Sequence, residues 1–355
     1  MPEWLNGAVS KTVVVFWATE GSNPSLSAVS IQKSSGCTPP QPMLGGFFYY
    51  NHLDHLAHFD YKDPMTKLNL ALAQINTKLG DVEANLARHL ELIADANAHG
   101  SDLILFPELS LTGYTLQDIA ATVAHRPTKD DPVFRSLLEA SQDIDIVVGF
   151  VDEDERHRFY IADAYLSEGK VLHVHHKVYL PTYGMFDEGR FFAWGDNVRA
   201  FDTKFGRVGM LICEDFWHIS PPYLLWLDGA DILLLNSASP GRGLGAAQTL
   251  DSAHWVDHTT KAYANLFTSF VAHTNRVGYE DGLNFWGGSN VYNPNGELLA
   301  QAPQHEESLT FAELDLNQLH RTRARLPLLR DERTALVERE LGRILHGNNP
   351  RLIGR

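Results

Sequence analysis

From residue 68 onward, apolar runs of strand length alternate with segments in which apolar residues recur at helical spacing. Leu68 to Ala73 is the first run, and the helix predicted after it begins beyond Asp81, with Leu86, Leu90 and Ile93 on one face. A carboxylate placed directly before a helix caps its free N–H groups. The alternation continues to about residue 317 and predicts an α/β layered domain of two similar halves.

The later elements are short apolar runs bounded by turn residues, and helical segments between them. Strands are predicted at 102–106, 144–150, 160–166, 170–175, 207–212, 231–235, 269–274 and 310–314. Hairpin-like pieces are predicted around Asn293 to Gly296, before the last strand. Helices are predicted at 132–142, 222–228 and 246–265.

The two ends of the chain lack this pattern. Residues 1–64 are an unpatterned extension, interrupted by Ser, Pro and Gly, and we hypothesise that translation starts at Met65, directly before the first strand. The domain then covers 65–317. Residues 317–355 contain nine arginines and four acidic residues, so we expect 318–355 to be a solvated or partner-contacting tail.

Composition narrows the class of protein. The 355 residues are 44% hydrophobic and 21% charged, as in soluble globular proteins. A formal charge of −15 argues against nucleic acid as a partner, and no apolar run approaches the roughly 20 residues that a membrane helix needs. The two cysteines, Cys37 and Cys213, indicate no disulfide framework and favour a cytoplasmic location.

Three predicted strand ends each carry a reactive side chain: Glu108, Lys177 and Cys213. Taken singly, a loop glutamate, a surface lysine and an inert buried cysteine are the commoner interpretations. Taken together, the residues suit acyl transfer. A thiol supplies the nucleophile, a carboxylate takes its proton and later protonates a departing amine, and a cation stabilises the thiolate and the oxyanion.

The contexts of these residues identify a resemblance. They are Phe106-Pro107-Glu108, His176-Lys177-Val178-Tyr179-Leu180-Pro181 and Ile212-Cys213-Glu214-Asp215. In them the sequence resembles the nitrilase superfamily of carbon–nitrogen hydrolases, over residues 67 to about 335. The resemblance implies a four-layer αββα sandwich, a catalytic triad of Glu108, Lys177 and Cys213, and neither a metal nor an organic cofactor. It also implies a homo-oligomer in which the C-terminal tail contacts a second subunit.

Within that superfamily the motifs look most like the glutaminase domain of glutamine-dependent NAD synthetases. The matching segments are Thr112-Gly113-Tyr114, Phe186-Asp187-Glu188 and Cys213-Glu214-Asp215-Phe216-Trp217. Those synthetases also carry a Ser-Gly-Gly-x-Asp-Ser phosphate loop, whereas this chain offers only Gly287-Gly288-Ser289-Asn290. We therefore expect a free-standing amidase, or a glutaminase subunit that serves a separate synthetase.

Four further residues are candidates for supporting roles. By resemblance, Glu188 positions the lysine or the substrate, and Tyr183 matches a tyrosine beside the bound glutamine. The backbone N–H of Glu214 is a candidate oxyanion donor together with Lys177. Phe186, one of several aromatic residues near the motifs, suits an apolar or aromatic acyl group. The alternatives are an exposed loop carboxylate for Glu188 and ordinary core or surface positions for the aromatic residues.

Histidines 173, 175 and 176 do not form a metal site in this interpretation, because His173 and His175 share a strand face while His176 points to the opposite one. The predicted function is a cysteine-dependent amidase that releases ammonia from a small carboxamide through a thioester. Two alternatives stay open. One is a nitrilase that uses the same three residues, and the other is a glutaminase subunit or a silent interaction module.

Overall fold

The computed structural model describes residues 66–243 and 250–347. The predictions for residues 1–64, including a start at Met65, concern residues outside that range. The same holds for the first residues of the helix predicted at 246–265 and for the last eight residues of the tail.

Two six-stranded sheets contain most of the strands. The first has the order β14-β1-β2-β3-β4-β5 and the second β13-β12-β9-β8-β7-β6, while β10 and β11 form a separate hairpin. The strands are β1 (Lys67–Gln74), β2 (Leu103–Leu105), β3 (Asp145–Glu153), β4 (Phe159–Ser167), β5 (Lys170–His176), β6 (Phe201–Thr203), β7 (Gly206–Ile212), β8 (Ile232–Ser237), β9 (Phe270–Asn275), β10 (Val277–Glu280), β11 (Leu283–Trp286), β12 (Asn290–Tyr292), β13 (Leu298–Gln301) and β14 (Ser308–Asp315).

The first four helices in chain order pack on the outer faces of the two sheets. The helices are α1 (Val82–Ala98), α2 (Pro132–Ala140), α3 (Ser220–Leu227), α4 (Asp251–Phe267), α5 (Asn317–Arg325), α6 (Leu328–Asp331) and α7 (Thr334–His346). The Asp81 carboxylate accepts a hydrogen bond from the Ala84 N–H at 3.1 Å and caps α1, as the sequence predicts. Within the described ranges, no helix combines the length and apolar content required to cross a membrane.

Alternating side chains of the strands divide the apolar core into layers. Leu70 and Leu72 of β1 face Met210 and Leu234 of the second sheet in a cluster between the sheets. A second cluster lies between the first sheet and α1 and α2, and a third between the second sheet and α3 and α4. The order of layers is therefore helix, sheet, sheet, helix, which is the predicted αββα sandwich.

The structure differs from the sequence-based elements in two places. The strands β6, β10 and β11 were not predicted, because three or four residues are too few to establish a period. The predicted tail is also not uniformly solvated. Arg323 of α5 pairs with Asp231 at 2.6 Å, and Leu319 is buried, whereas α7 buries none of its residues.

The topology brings the candidate residues to one edge of the sandwich. Strands β1, β2 and β3 are parallel neighbours in the first sheet, and β7, β8 and β9 are parallel neighbours in the second. The carboxyl ends of parallel strands meet at one edge. Glu108 follows β2 and Cys213 follows β7 there. Lys177 joins them because β5 is antiparallel to β4, which is antiparallel to β3.

Candidate active site

A buried lysine lies between two carboxylates at this edge. Lys177 Nζ donates hydrogen bonds to Glu108 Oε1 at 2.7 Å and to Glu188 Oε1 at 2.8 Å. The side chains of Lys177 and Glu108 are both 0% exposed. Burial opposes the charge of Lys177, but the two carboxylates outweigh it and hold the pKa of the ammonium well above its ordinary range. The lysine is therefore a fixed cation.

The backbone around Glu108 is tightly constrained. A side chain at Gly149 of β3 would bring a Cβ within 2.4 Å of the Pro107 carbonyl oxygen, so only glycine allows the Glu108 segment to cross this strand. Leu109, the next residue, has a positive φ of 50°. The second carboxylate oxygen of Glu108 accepts the Ala238 N–H at 2.8 Å. Both oxygens of Glu108 are thus oriented before any substrate arrives.

Glu188 lies in a short 3₁₀ turn and is buried rather than exposed in a loop. Its Oε1 accepts the Tyr114 hydroxyl at 2.6 Å as well as Lys177 Nζ. Burial raises the pKa of Glu188 to about 7, although Lys177 opposes the shift. Sequence reasoning quoted Tyr114 within a motif and assigned it no role. The available signal was a tyrosine that lies six residues after a glutamate at a strand end.

Cys213 lies at the end of β7, where a short 3₁₀ helix, Cys213–Trp217, begins. Its φ of 46° is in the left-handed region, which costs a residue other than glycine about 1–3 kcal/mol and is typical of functional sites. Burial raises the pKa of the Cys213 thiol well above its usual value. Glu108 raises it further, and Lys177 opposes both. The resting group is therefore a neutral thiol, and the expected thiolate-stabilising effect of Lys177 does not dominate.

Asp215 connects the cysteine and lysine segments, and sequence reasoning missed it. Its Oδ1 accepts the backbone N–H groups of Val178 and Tyr179 at 3.0 and 2.9 Å. Its Oδ2 accepts the Ile212 N–H at 3.0 Å and lies 2.9 Å from His175 Nε2. The contacts flank Lys177 on one side and Cys213 on the other. An acid two residues after a candidate nucleophile was the only signal in the sequence.

We call Glu108, Lys177, Glu188 and Cys213 the buried floor. A second group is called the mouth and consists of the exposed Tyr183, the half-buried Arg242 and the buried Glu214. The Tyr183 hydroxyl donates to Glu214 Oε2 at 3.0 Å, and the Arg242 guanidinium lies 5.7 Å from the Tyr183 ring centroid. Burial raises the pKa of Glu214, and Tyr183 opposes that shift. Arg242 is absent from the sequence-based set because no motif contains it.

Aromatic residues beside the mouth line a cavity. Phe186 is buried, packs edge-on against Tyr183 at 5.5 Å and lies 5.0 Å from the Arg242 guanidinium. It borders this cavity of about 200 Å³, whose other walls include Tyr114, Glu188 and Phe192. Glu188 is the residue of the buried floor that lines this cavity, whereas Cys213 does not line it.

The three histidines of β5 have separate partners. His175 contacts Asp215, His176 Nε2 lies 2.7 Å from Asp152, and His173 stacks on Phe201. Across residues 66–243 and 250–347, no group of three potential ligands is arranged to hold a metal ion.

The profile of the carbon-nitrogen hydrolase family matches residues 69–324. The chain belongs to this family. It is a hydrolase of carbon–nitrogen bonds, and its two-sheet sandwich is the fold of its structural neighbours.

Several relatives are glutamine-dependent NAD(+) synthetases. The protein from Acinetobacter baylyi is 35% identical over 72% of this chain and 45% of its own length, and that from Thermotoga maritima is 33% identical over 72% and 43%. The chain thus spans about half the length of these relatives. An amidase from Nesterenkonia sp. AN1, 25% identical, superposes with a TM-score of 0.65 over 77% of this chain and 96% of its own. In one of its variants, the acetamide moiety of fluoroacetamide is added covalently at the active-site cysteine.

Proposed function

We propose that this protein is a cysteine-dependent amidase that hydrolyses a small carboxamide to the acid and ammonia. The observation that carries the proposal is the buried floor, in which Lys177 pairs with Glu108 and both act electrostatically on Cys213. The covalent acetamide adduct of the Nesterenkonia amidase supports a cysteine nucleophile in a protein of the same fold.

In the first half-reaction, Cys213 Sγ attacks the amide carbonyl carbon while Glu108 takes the thiol proton. The transfer accompanies the attack, because burial disfavours a free thiolate at rest. Lys177 and the backbone N–H of Glu214 stabilise the oxyanion. Glu108 then returns the proton to the amide nitrogen, the C–N bond breaks, and ammonia leaves behind a thioester.

In the second half-reaction, water attacks the thioester carbonyl carbon and Glu108 accepts one of its protons. The C–S bond breaks, the acid departs, and the proton on Glu108 returns to Sγ. A single carboxylate thus serves as base, acid and base again. Glu188 positions Lys177 from the opposite side and is itself oriented by Tyr114.

The mouth favours a substrate with a charged head group. Glu214 offers a carboxylate for an ammonium group, and Arg242 offers a guanidinium for a carboxylate. An α-amino acid carries both charges, so the ω-carboxamide of an amino acid such as glutamine fits this arrangement. Relatives that are glutamine-dependent support the same substrate class.

Ammonia release from a panel of compounds tests the proposal. The panel contains glutamine, asparagine, propionamide, benzamide and the matched nitriles, and Cys213→Ala serves as the control. We expect release from at least one amide and none from the variant. Release from nitriles alone would replace the amidase with a nitrilase, and release by Cys213→Ala would exclude the cysteine mechanism.

A second candidate is a glutaminase that supplies ammonia to a separate synthetase, because NAD synthetases are among the relatives and this chain matches slightly less than half of their length. Glutamine turnover that rises when a synthetase copurifies would favour it. We also propose a cytoplasmic location, because the chain contains only two cysteines.

Self-association is proposed for α7. This helix buries no residue, yet its exposed side chains include five aliphatic ones. A second copy of the chain is the occupant that the family resemblance implies. Light scattering of Leu341→Glu/Leu345→Glu beside the unaltered protein tests this, and an unchanged mass would exclude α7 from the contact. The aliphatic residues are Leu336, Val337, Leu341, Ile344 and Leu345.

A further inference from the structure

Asp163 lies on β4 and is fully buried between the two sheets. Its Oδ2 accepts a hydrogen bond from Asn236 Nδ2 of β8 at 2.9 Å. Tyr165 and Leu234, two residues along the same strands, belong to the apolar core between the sheets. A polar bridge that crosses such an interface loses hydration and needs full pairing to be tolerated.

This bridge is anchored directly beneath the buried floor. Asn236 pairs in register with Ile212, the residue before Cys213. Two residues beyond Asn236, the Ala238 N–H donates to Glu108 Oε2 at 2.8 Å. The position of β8 at Asn236 therefore sets the distance between that N–H and the carboxylate of Glu108.

The unpaired atoms of the bridge indicate its protonation state. A neutral carboxyl group and a primary amide form two antiparallel hydrogen bonds, one from the amide N–H and one from the acid O–H. The first is the contact of Asn236 with Asp163. The second would join Asp163 Oδ1 to Asn236 Oδ1, and neither of these buried oxygens has a hydrogen-bond partner among the described residues. An ionised Asp163 would leave both without a donor.

The surrounding charges favour the same state. Burial raises the pKa of Asp163 well above its usual value, and the Glu108 and Asp215 carboxylates raise it further, while the hydrogen bond from Asn236 and the charge of Lys177 oppose them. His175, the neighbour of Asp163 on β5, is engaged with Asp215. A third ionised carboxylate here would compete with Glu108 for the cation.

We propose that Asp163 is a positioning residue which, as a neutral acid paired with Asn236, anchors β8 so that the Ala238 N–H stays on Glu108. The inference rests on the proposed role of Glu108 as the base for Cys213. Asp163 touches no reacting atom, and its effect reaches the reaction through the backbone of β8.

A side-chain swap tests the pairing. Asp163→Asn leaves a neutral pair that can form two hydrogen bonds. Asn236→Asp instead places two carboxyl groups face to face, and because such a pair shares one proton it adds a buried negative charge. The double variant restores one acid and one amide with their ends exchanged. For each protein, kcat and KM are measured on the preferred amide, together with the rate at which iodoacetamide alkylates Cys213, followed by peptide mass spectrometry.

We expect Asp163→Asn to stay within about threefold of the unaltered protein in kcat, and Asn236→Asp to lose about tenfold or more in kcat and alkylation rate with little change in KM. The double variant should recover most of that loss. The proposal is overturned if Asp163→Asn loses as much as Asn236→Asp, or if the double variant is no better than Asn236→Asp.

Two controls complete the experiment. Asp145→Asn changes a buried carboxyl group at the start of β3, where Tyr165 donates to it at 2.8 Å, and should lower the unfolding temperature without changing the alkylation rate. Glu108→Gln sets the scale on which alkylation depends on the base. Alkylation requires no substrate, so the swap is informative even if no amide in the panel is hydrolysed and the proposed function fails.

Discussion

The buried floor and the mouth both place acidic groups near a cation, but at very different depths. Lys177 and Glu108 are 0% exposed, whereas Tyr183 is 47% exposed and Arg242 is half-buried. If a charged group in the floor loses its partner, no water can replace that partner. In the mouth, water can take the partner's place. The difference suggests that the floor couples chemistry to stability, and that the mouth selects the substrate at little cost in stability.

The largest expected effect comes from removing the base. Glu108→Gln keeps the size of the side chain but cannot accept the thiol proton, so kcat should fall by about 10²–10⁴-fold with a small change in KM. Steady-state ammonia release measures it, with Glu83→Gln on the exposed surface of α1 as the matched control. A loss below tenfold would contradict the role of Glu108 as base.

Removal of the cation should lower the free energy of unfolding much more in the floor than in the mouth. Lys177→Met leaves two buried carboxylates uncompensated and should lower the free energy of unfolding by about 3–5 kcal/mol at pH 7. Arg242→Met should cost under about 1 kcal/mol. Urea unfolding of both variants makes the comparison. Equal losses would show that burial does not distinguish the floor from the mouth.

Glu188 predicts a pH dependence of stability. Its pKa is 4.5 in a model peptide and about 7 in the folded protein, so between these values the native state holds a proton that the unfolded state has lost. The free energy of unfolding therefore falls as pH rises through this window. The fall is at most about 3 kcal/mol, and we give it as an upper limit because Glu188 shares Lys177 with Glu108.

The variant Glu188→Gln removes the titrating group and should flatten that decline. Thermal unfolding of both proteins at pH 5, 6, 7 and 8 tests the expectation. Parallel curves for the two proteins would mean that another group is responsible.

The smallest effects are expected in the mouth. Arg242→Met should raise KM about tenfold for a substrate with a carboxylate and much less for propionamide, because only the charged head group loses its partner. Tyr183→Phe should act in the same direction through Glu214, with a smaller change. A uniform fall in kcat for both substrates would place Arg242 in the chemistry rather than in recognition.

Local patterns predicted most elements of the fold. The spacing of apolar residues identified α1 and the long strands, because the burial of one face or of both faces determines which neighbouring residues are apolar. The short strand β6 and the hairpin of β10 and β11 were not predicted, since their pairing is set by distant partners. For the candidate site, motif context selected Glu108, Lys177 and Cys213, while Tyr114 and Arg242 were not assigned.

Some features of this protein are thus determined by the local sequence and others by the tertiary structure. Hydrophobic period and the residues at strand ends, which are local properties, determined the layered fold and the three candidate groups for carbon–nitrogen chemistry. The raised pKa values of the Cys213 thiol and of Glu188 and the bridges of Asp215 and Asp163 were decided only by the tertiary structure. Desolvation and hydrogen bonding act between atoms that are far apart in the chain, so they exist only once the two sheets have packed.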